Sequence, residues 1–314
     1  MTYPLVSVCI PTYNNSNFII ETIHAIINQS YINLEIIIVN DGSTDETKEI
    51  IESINDQRIK LIHVVNGGAA SARNIAFNSS NGDYIIFLDG DDYIEPDFID
   101  KQINKISPLT NDIVLSSWGR FFNNNLQSFT EEITPSESIT FAEWIGIYWI
   151  NCNPMTNPGR AIIPRATILK SGLWDESLSL NDDLEFFTRI FIHSNKIVFN
   201  QEAKLYYRSG TNGLSSKKGK EASQSLYISI YKSVNHVLDY YKNDEGIKLA
   251  CANMIQSYIY LAYPHHKEYT DQAEKEISKL ATPSLKFESG GITKFLNAII
   301  GWKMTKKIKM LIGW

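Results

Sequence analysis

The chain has 314 residues, 43% of them hydrophobic and 20% charged, with a formal net charge of −6. This composition excludes a disordered chain and leaves room for one large domain or two modest ones. The acidic balance speaks against a nucleic-acid binder, and three scattered cysteines (Cys9, Cys152, Cys251) are too few for a disulfide framework or a zinc knuckle.

In chain order, the N-terminal third alternates buried-type apolar runs with helical patterns. Leu5 to Ile10 reads as a strand ended by Pro11, Phe18 to Asn28 as a helix, and Leu34 to Val39 as a strand buried on both faces. Ser43-Thr44-Asp45-Glu46 reads as a capping box opening the next helix. A strand at Ile59 to Val64 follows, then a glycine-led helix from Gly67 to Asn78, and a strand at Tyr84 to Leu88. Pro96 opens a helix running to Ile106, and Ile113 to Ser117 is a further strand. This rhythm predicts an α/β fold, a mostly parallel sheet flanked by helices.

Residues 118–160 are rich in aromatics and asparagine, with a turn at Asn123 to Asn125. Most of these aromatics read as core. Ile162 to Leu173 reads as a short helix and loop, and Asn181 to Ile192 as a helix. Strand signals stop near residue 219, and helical patterns fill 221–241, 245–262, 268–280 and 292–312. The division is placed near 215, giving a first domain at 1–215 (halves 1–117 and 118–215) and a helical region at 216–314.

Ligands of such sheets bind beyond the carboxyl ends of the strands, and polar residues gather there. Asp89-Gly90-Asp91-Asp92 crowds three carboxylates after a buried strand. Their repulsion is relieved by a divalent cation, and oxygen donors favour Mg²⁺ or Mn²⁺; the competing reading is a solvated acidic turn. Asp41 and Gly42 end another strand, either to accept hydrogen bonds from a base or sugar or to make an ordinary turn into a helix. Gly67-Gly68 opens a helix that carries Arg73 one turn in, which suits an anion or tight helix-on-sheet packing. It is neither a Walker loop nor a G-x-G-x-x-G fingerprint.

Taken in order, SVCIPTYN, VNDGSTDET, GGAASARNIA and GDYIIFLDGDD resemble the motifs of glycosyltransferase family 2. SGLWDESLSLNDDLEFFTRI resembles the family's acceptor-side segment, and LYYRSGTNGLS its Tyr-Arg and Ser-x-Ser ending. The resemblance covers about residues 5–216 and implies the Rossmann-like GT-A fold and a nucleotide-sugar donor, by default a UDP-sugar, with dTDP as the other choice. It implies that Pro11, Thr12 and Tyr13 border the base, that Asp41 accepts from the base N3–H, and that Arg73 lies near the phosphates. Asp89 and Gly90 would face the ribose and donor sugar, Asp91 would hold Mn²⁺ or Mg²⁺, and Asp183 would be the catalytic base of an inverting transfer, with Trp174 and Asp182 toward the acceptor. Asp182-Asp183 stands where many relatives carry Glu-Asp, and a helix N-terminus with favourable dipole charges is the plainer reading of that pair. Gly210 stands where many carry a histidine that reaches the metal, which leaves water or Ser209 as a further ligand. The processive signature Gln-x-x-Arg-Trp has no counterpart near Thr188-Arg189, which implies addition of a single hexosyl or N-acetylhexosaminyl unit.

The resemblance further implies an acceptor in a bacterial cell-surface polysaccharide or glycan, lipid-linked or protein-linked. Two other classes compete: a sugar-phosphate nucleotidyltransferase, and a non-catalytic carbohydrate-binding scaffold on a degenerate copy of the fold. The first wants a Gly-rich basic loop after the first strand, where this chain has Pro11-Thr12-Tyr13-Asn14. Retained Asp91 and Asp183 speak against the second. The first residues carry no basic n-region, and no run approaches the ~20 apolar residues of a membrane span. A cytoplasmic protein with reduced thiols is expected. The segment 292–314 mixes five lysines with apolar residues and two tryptophans. It reads either as a helix lying on the inner face of the membrane or as a packing or homodimer contact.

Overall fold

A computed structural model describes residues 3–154, 156–210 and 219–312. They form two compact units: the first takes the described residues of 1–141 and 155–216, the second those of 142–154 and 217–314. The expected division near 215, the motif residues after Gly210, and Trp314 lie outside the described residues.

In the first unit, β1 (Val6–Thr12), β2 (Leu34–Asp41), β3 (Ile59–Val64) and β4 (Tyr84–Phe87) are parallel, with β1 between β2 and β4. The register sets Val8 beside both Ile36 and Ile86; β1 then ends opposite Asn40 of β2, while β4 stops opposite Cys9 and its following turn lies beside the end of β1. The strands alternate their apolar side chains between two covered faces. Val8, Ile10, Ile36, Ile38 and Ile86 pack against α1 (Ile19–Ile27) through Ile19, Ile23 and Ile26, and with Phe98 and Ile99 of α4 (Phe98–Ile103). On the other face α3 (Ala69–Asn78) lies on β1 and β2, and its buried Ala70, Ala72 and Ala76 permit a close approach. Between these lie α2 (Thr47–Glu52) and the short β5 (Tyr93–Ile94).

The sheet continues through β8 (Ala161–Pro164), β6 (Ile113–Phe122), β9 (Ile197–Ser209) and β5, with β7 (Asn125–Glu131) paired to β6 across the expected asparagine turn. Two features differ from the sequence reading. The expected helix over 162–173 begins only at Arg165, as α6 (Arg165–Ser171); its apolar start is β8, inserted antiparallel between β4 and β6. The 13-residue β9 was not anticipated, because its burial alternates with polar and aromatic residues instead of forming an apolar run. α7 (Asp182–Ile192) completes the unit.

Residues 142–154, expected in the first domain, belong to the second unit. There α5 (Phe141–Trp144) continues as a π-helical turn over Ile145–Trp149. Buried Trp144 and Trp149 anchor it, and Asn253 of α9 (Glu245–Ala262) donates to the Ile150 carbonyl at 2.8 Å. α9 is capped by the Asp244 carboxylate, which accepts from the Ile247 amide, and packs on α8 (Lys220–Tyr240) and α10 (Lys267–Ile277). The last helix, α11 (Ile292–Leu311), breaks at Gly301, where φ is +73°. Among the described residues, no helix is long and apolar enough to cross a membrane.

Candidate active site

The loops after β1 and β2 are zipped together. The Asn14, Asn15 and Ser16 amides donate to Ser43 Oγ, Thr47 Oγ1 and Asp45 Oδ2 at 3.0, 2.8 and 3.1 Å. In return, Asn14 Oδ1 accepts from the Thr44 amide. The expected capping box therefore does not form; α2 begins at Thr47, and Ser43 and Asp45 are used to hold the neighbouring loop. This places Pro11 and Thr12 in the buried floor and leaves the Tyr13 ring 48% exposed at the rim.

Asp41 is buried, and its two carboxylate oxygens accept from the Gly67 and Gly68 amides at 2.7 and 2.9 Å. The amides expected to await an external anion are thus given to an internal one. Each carboxylate oxygen keeps a second lone pair. Gly42 makes the turn at φ +72°, and a Cβ there would lie 2.8 Å from the Asn66 backbone nitrogen. Gly42→Ala is expected to cost about 1–3 kcal/mol, measured by urea denaturation.

The three acids after β4 take three different roles. Asp92 is fully buried and turns inward, accepting from the Arg208 amide at 3.1 Å and from Asn157 at 3.4 Å. Burial, then the charges of Asp91 and Asp89, raise its pKa well above the carboxylate range. Asp89 accepts from Arg73 Nη2 at 2.8 Å. Asp91 has no ion pair among the described residues; burial and the Asp89 charge push its pKa up to about 6, against the opposing pull of Arg208. Gly90 lets the first loop come close, since a Cβ there would sit 2.8 Å from Asn15 Nδ2 and 3.2 Å from Thr12 Oγ1.

Arg73 joins this turn to the other half of the sheet. Its side chain is 7% exposed, and Nη1 reaches Asp182, 109 residues away, also at 2.8 Å. The resemblance puts Arg73 at donor phosphates; here its guanidinium is held between two carboxylates, one at the end of β4 and one at the start of α7. Trp174 stacks on Phe186, with centroids 4.0 Å apart, and lies 4.4 Å from the Arg73 guanidinium. At 3% exposure the indole, which the resemblance puts toward the acceptor, is packed among these side chains. Asp183 follows at the first turn of α7. Burial and the adjacent Asp182 push its pKa up to about 7, while the Leu184 amide and Arg73 pull the other way. Burial also raises Asp182, opposed by Arg73.

Three residues of this arrangement were not anticipated. Asn74 donates to the Trp174 carbonyl and to Glu176 and accepts from the Trp174 amide, pinning the acceptor-side segment to α3. Its only signal was its place beside Arg73. Arg208 donates to the Asp91 carbonyl at 2.7 Å, pairs with Glu21, and lies 4.5 Å from the Phe18 and Phe121 rings. The Tyr-Arg motif held it without revealing its partners. Arg189 pairs with buried Glu185 and donates to the carbonyls of Ser171, Gly172 and Leu173, tying the end of α6 to α7.

Among the described residues, no group of three or more acidic, histidine or cysteine side chains is arranged to hold a metal. Gly210 has no donor side chain, and Ser209 Oγ accepts from Arg120 at 3.3 Å. A Mg²⁺ or Mn²⁺ ion held by one or two carboxylates, with phosphate oxygens and water completing its shell, fits this sparse set. Asp91 suits such an ion because burial disfavours its lone negative charge. Three buried side-chain atoms without hydrogen-bond partners, Thr12 Oγ1, Arg73 Nε and Trp174 Nε1, belong to the same elements. Orphaned donors of this kind are costly and call for an explanation such as a bound ligand.

A buried Arg73 thus bridges one acid after β4 and one at the start of α7, beside polar loops at the ends of parallel strands. The profile of Glycosyl transferase family 2 matches residues 7–160. Glycosyltransferase GlyG of Streptococcus pneumoniae is 30% identical over 222 residues, covering 65% of this chain and 70% of that protein. The chain belongs to glycosyltransferase family 2. An uncharacterized glycosyltransferase of Haemophilus influenzae is 39% identical over 144 residues, 45% of this chain; the match spans 57% of that relative's length. The S. aureus TarS 1–349 structure in complex with UDP-GlcNAc superposes with a TM-score of 0.68 at 18% identity, covering 88% of this chain and 80% of that one. That likeness shows the fold.

Proposed function

We propose that the protein transfers one sugar from a nucleotide-sugar, by default a UDP-sugar, to an acceptor hydroxyl with inversion at the anomeric carbon. The observation that carries this reading is the Arg73 bridge from Asp89 after β4 to Asp182, the chain neighbour of Asp183. Asp183 takes the acceptor hydroxyl proton, and the freed oxygen attacks the anomeric carbon from the face opposite the nucleotide. The bond to the diphosphate then breaks with its electron pair. A base pKa of about 7 matches this task near neutral pH. When bound at Asp91, Mn²⁺ or Mg²⁺ supplies charge neutralisation at the leaving diphosphate. The UDP-GlcNAc and UDP complexes of TarS support a uridine donor and a hexosyl or N-acetylhexosaminyl group. The acceptor class is a bacterial cell-surface polysaccharide or glycan, reached from the cytoplasmic side.

Calorimetric titration of UDP with and without Mn²⁺ tests the donor half. The expected result is binding strengthened at least about tenfold by Mn²⁺, with the gain lost in Asp91→Ala. Equal binding with EDTA and with Mn²⁺ would contradict a metal held there.

A further inference from the structure

The last helix carries a surface that the transfer site does not use. Residues 289–314 contain five lysines and no acid, in a chain whose net charge is −6. One side of α11 is docked within its own unit. Trp302 packs edge-on against Tyr260 at 4.8 Å and lies 5.3 Å from Tyr263. Lys306 donates to the Leu261 carbonyl at 2.9 Å, and Lys303 pairs with Glu274 on α10. These contacts dock the segment that follows the break at Gly301.

The segment ahead of that break leaves its large apolar side chains bare. Ile292, Phe295 and Ile299, spaced i, i+3, i+7, are 64–68% exposed. After the break, Met304 and Leu311 are exposed as well; Lys294 is exposed beside the first group, while Lys307 Nζ lies 5.7 Å from the Tyr263 ring on the docked side. Large apolar groups interleaved with cations, and no acid among them, suit one environment well. The apolar groups enter the acyl boundary and the ammonium groups meet lipid phosphates. A symmetric dimer through this face would instead set like charges against each other, because both copies present the same patch.

We propose that α11 docks the protein on an anionic lipid bilayer. The inference is independent of the transfer reaction and stands or falls without it. The test is flotation of the full chain with vesicles of phosphatidylglycerol and phosphatidylcholine, against phosphatidylcholine alone. The protein floats with the anionic vesicles only, and high salt releases much of it. Phe295→Asp with Ile299→Asp weakens partitioning by at least about tenfold, since two anchors are lost. Lys294→Gln weakens it roughly fivefold. All three positions are exposed, so unchanged circular dichroism and melting temperature confirm the variants as folded. Failure to float with anionic vesicles, or flotation of the folded Asp variants like the parent, overturns the proposal. So does a lipid-free dimer in sedimentation equilibrium that the same variants dissolve, which assigns the face to a second copy.

Discussion

Asp183→Asn lowers turnover by ~10²–10⁴-fold, the usual contribution of a positioned base, while the protein melts at a higher temperature than its parent. Both effects have one cause. Burial and the Asp182 charge raise the Asp183 pKa from 3.8 to about 7, so the folded state resists the ionised form that catalysis requires. An acid whose folded pKa is raised destabilises the fold as pH climbs from the unfolded value toward the folded one. Asparagine removes that penalty together with the base. In the parent, kcat rises with pH below about 7 and levels above it, and at pH 5 it is about a hundredfold below the plateau. Steady-state rates across pH, with melting curves at the same values, check both signs. Full activity in Asp183→Asn, with loss in Asp182→Asn, moves the base by one residue.

Arg73→Met removes the cation between Asp89 and Asp182 and leaves two carboxylates facing each other in a largely enclosed space. A buried pair broken from one side costs about 3–5 kcal/mol, and both partners here are less than a third exposed. The loss is largest at neutral pH and shrinks as pH falls, because burial raises the Asp182 pKa and protonating that acid removes one of the uncompensated charges. Urea denaturation at pH 7 and pH 5 measures this. Arg73→Lys does not restore the parent, since one ammonium cannot fork to two carboxylates. Equal stability of Arg73→Met and parent at pH 7 would remove the bridge from the account.

The parallel half of the sheet was legible because strands buried on both faces are written as apolar runs, as in Leu34 to Val39 and Tyr84 to Leu88. The acids were legible because they stand directly after those runs. What sequence could not show was their partners. Asp41 meets amides 26 and 27 residues on, Arg73 spans 109 residues, and Arg208 reaches back 117 to the Asp91 carbonyl. Such contacts depend on the tertiary fold and leave no local periodicity. The same holds for Trp174, which the resemblance puts toward the acceptor and whose stacking on Phe186 no local pattern shows. β8 was misread because four apolar residues ahead of a helical pattern have no period of their own.

Nucleotide release from a panel of UDP-sugars, followed with Mn²⁺ and with EDTA, tests most directly whether the remote acids form one transfer site. The account predicts release that needs Mn²⁺ in the parent and falls at least about a hundredfold in both Asp91→Ala and Asp183→Asn. Release that persists in EDTA and in both variants would contradict it.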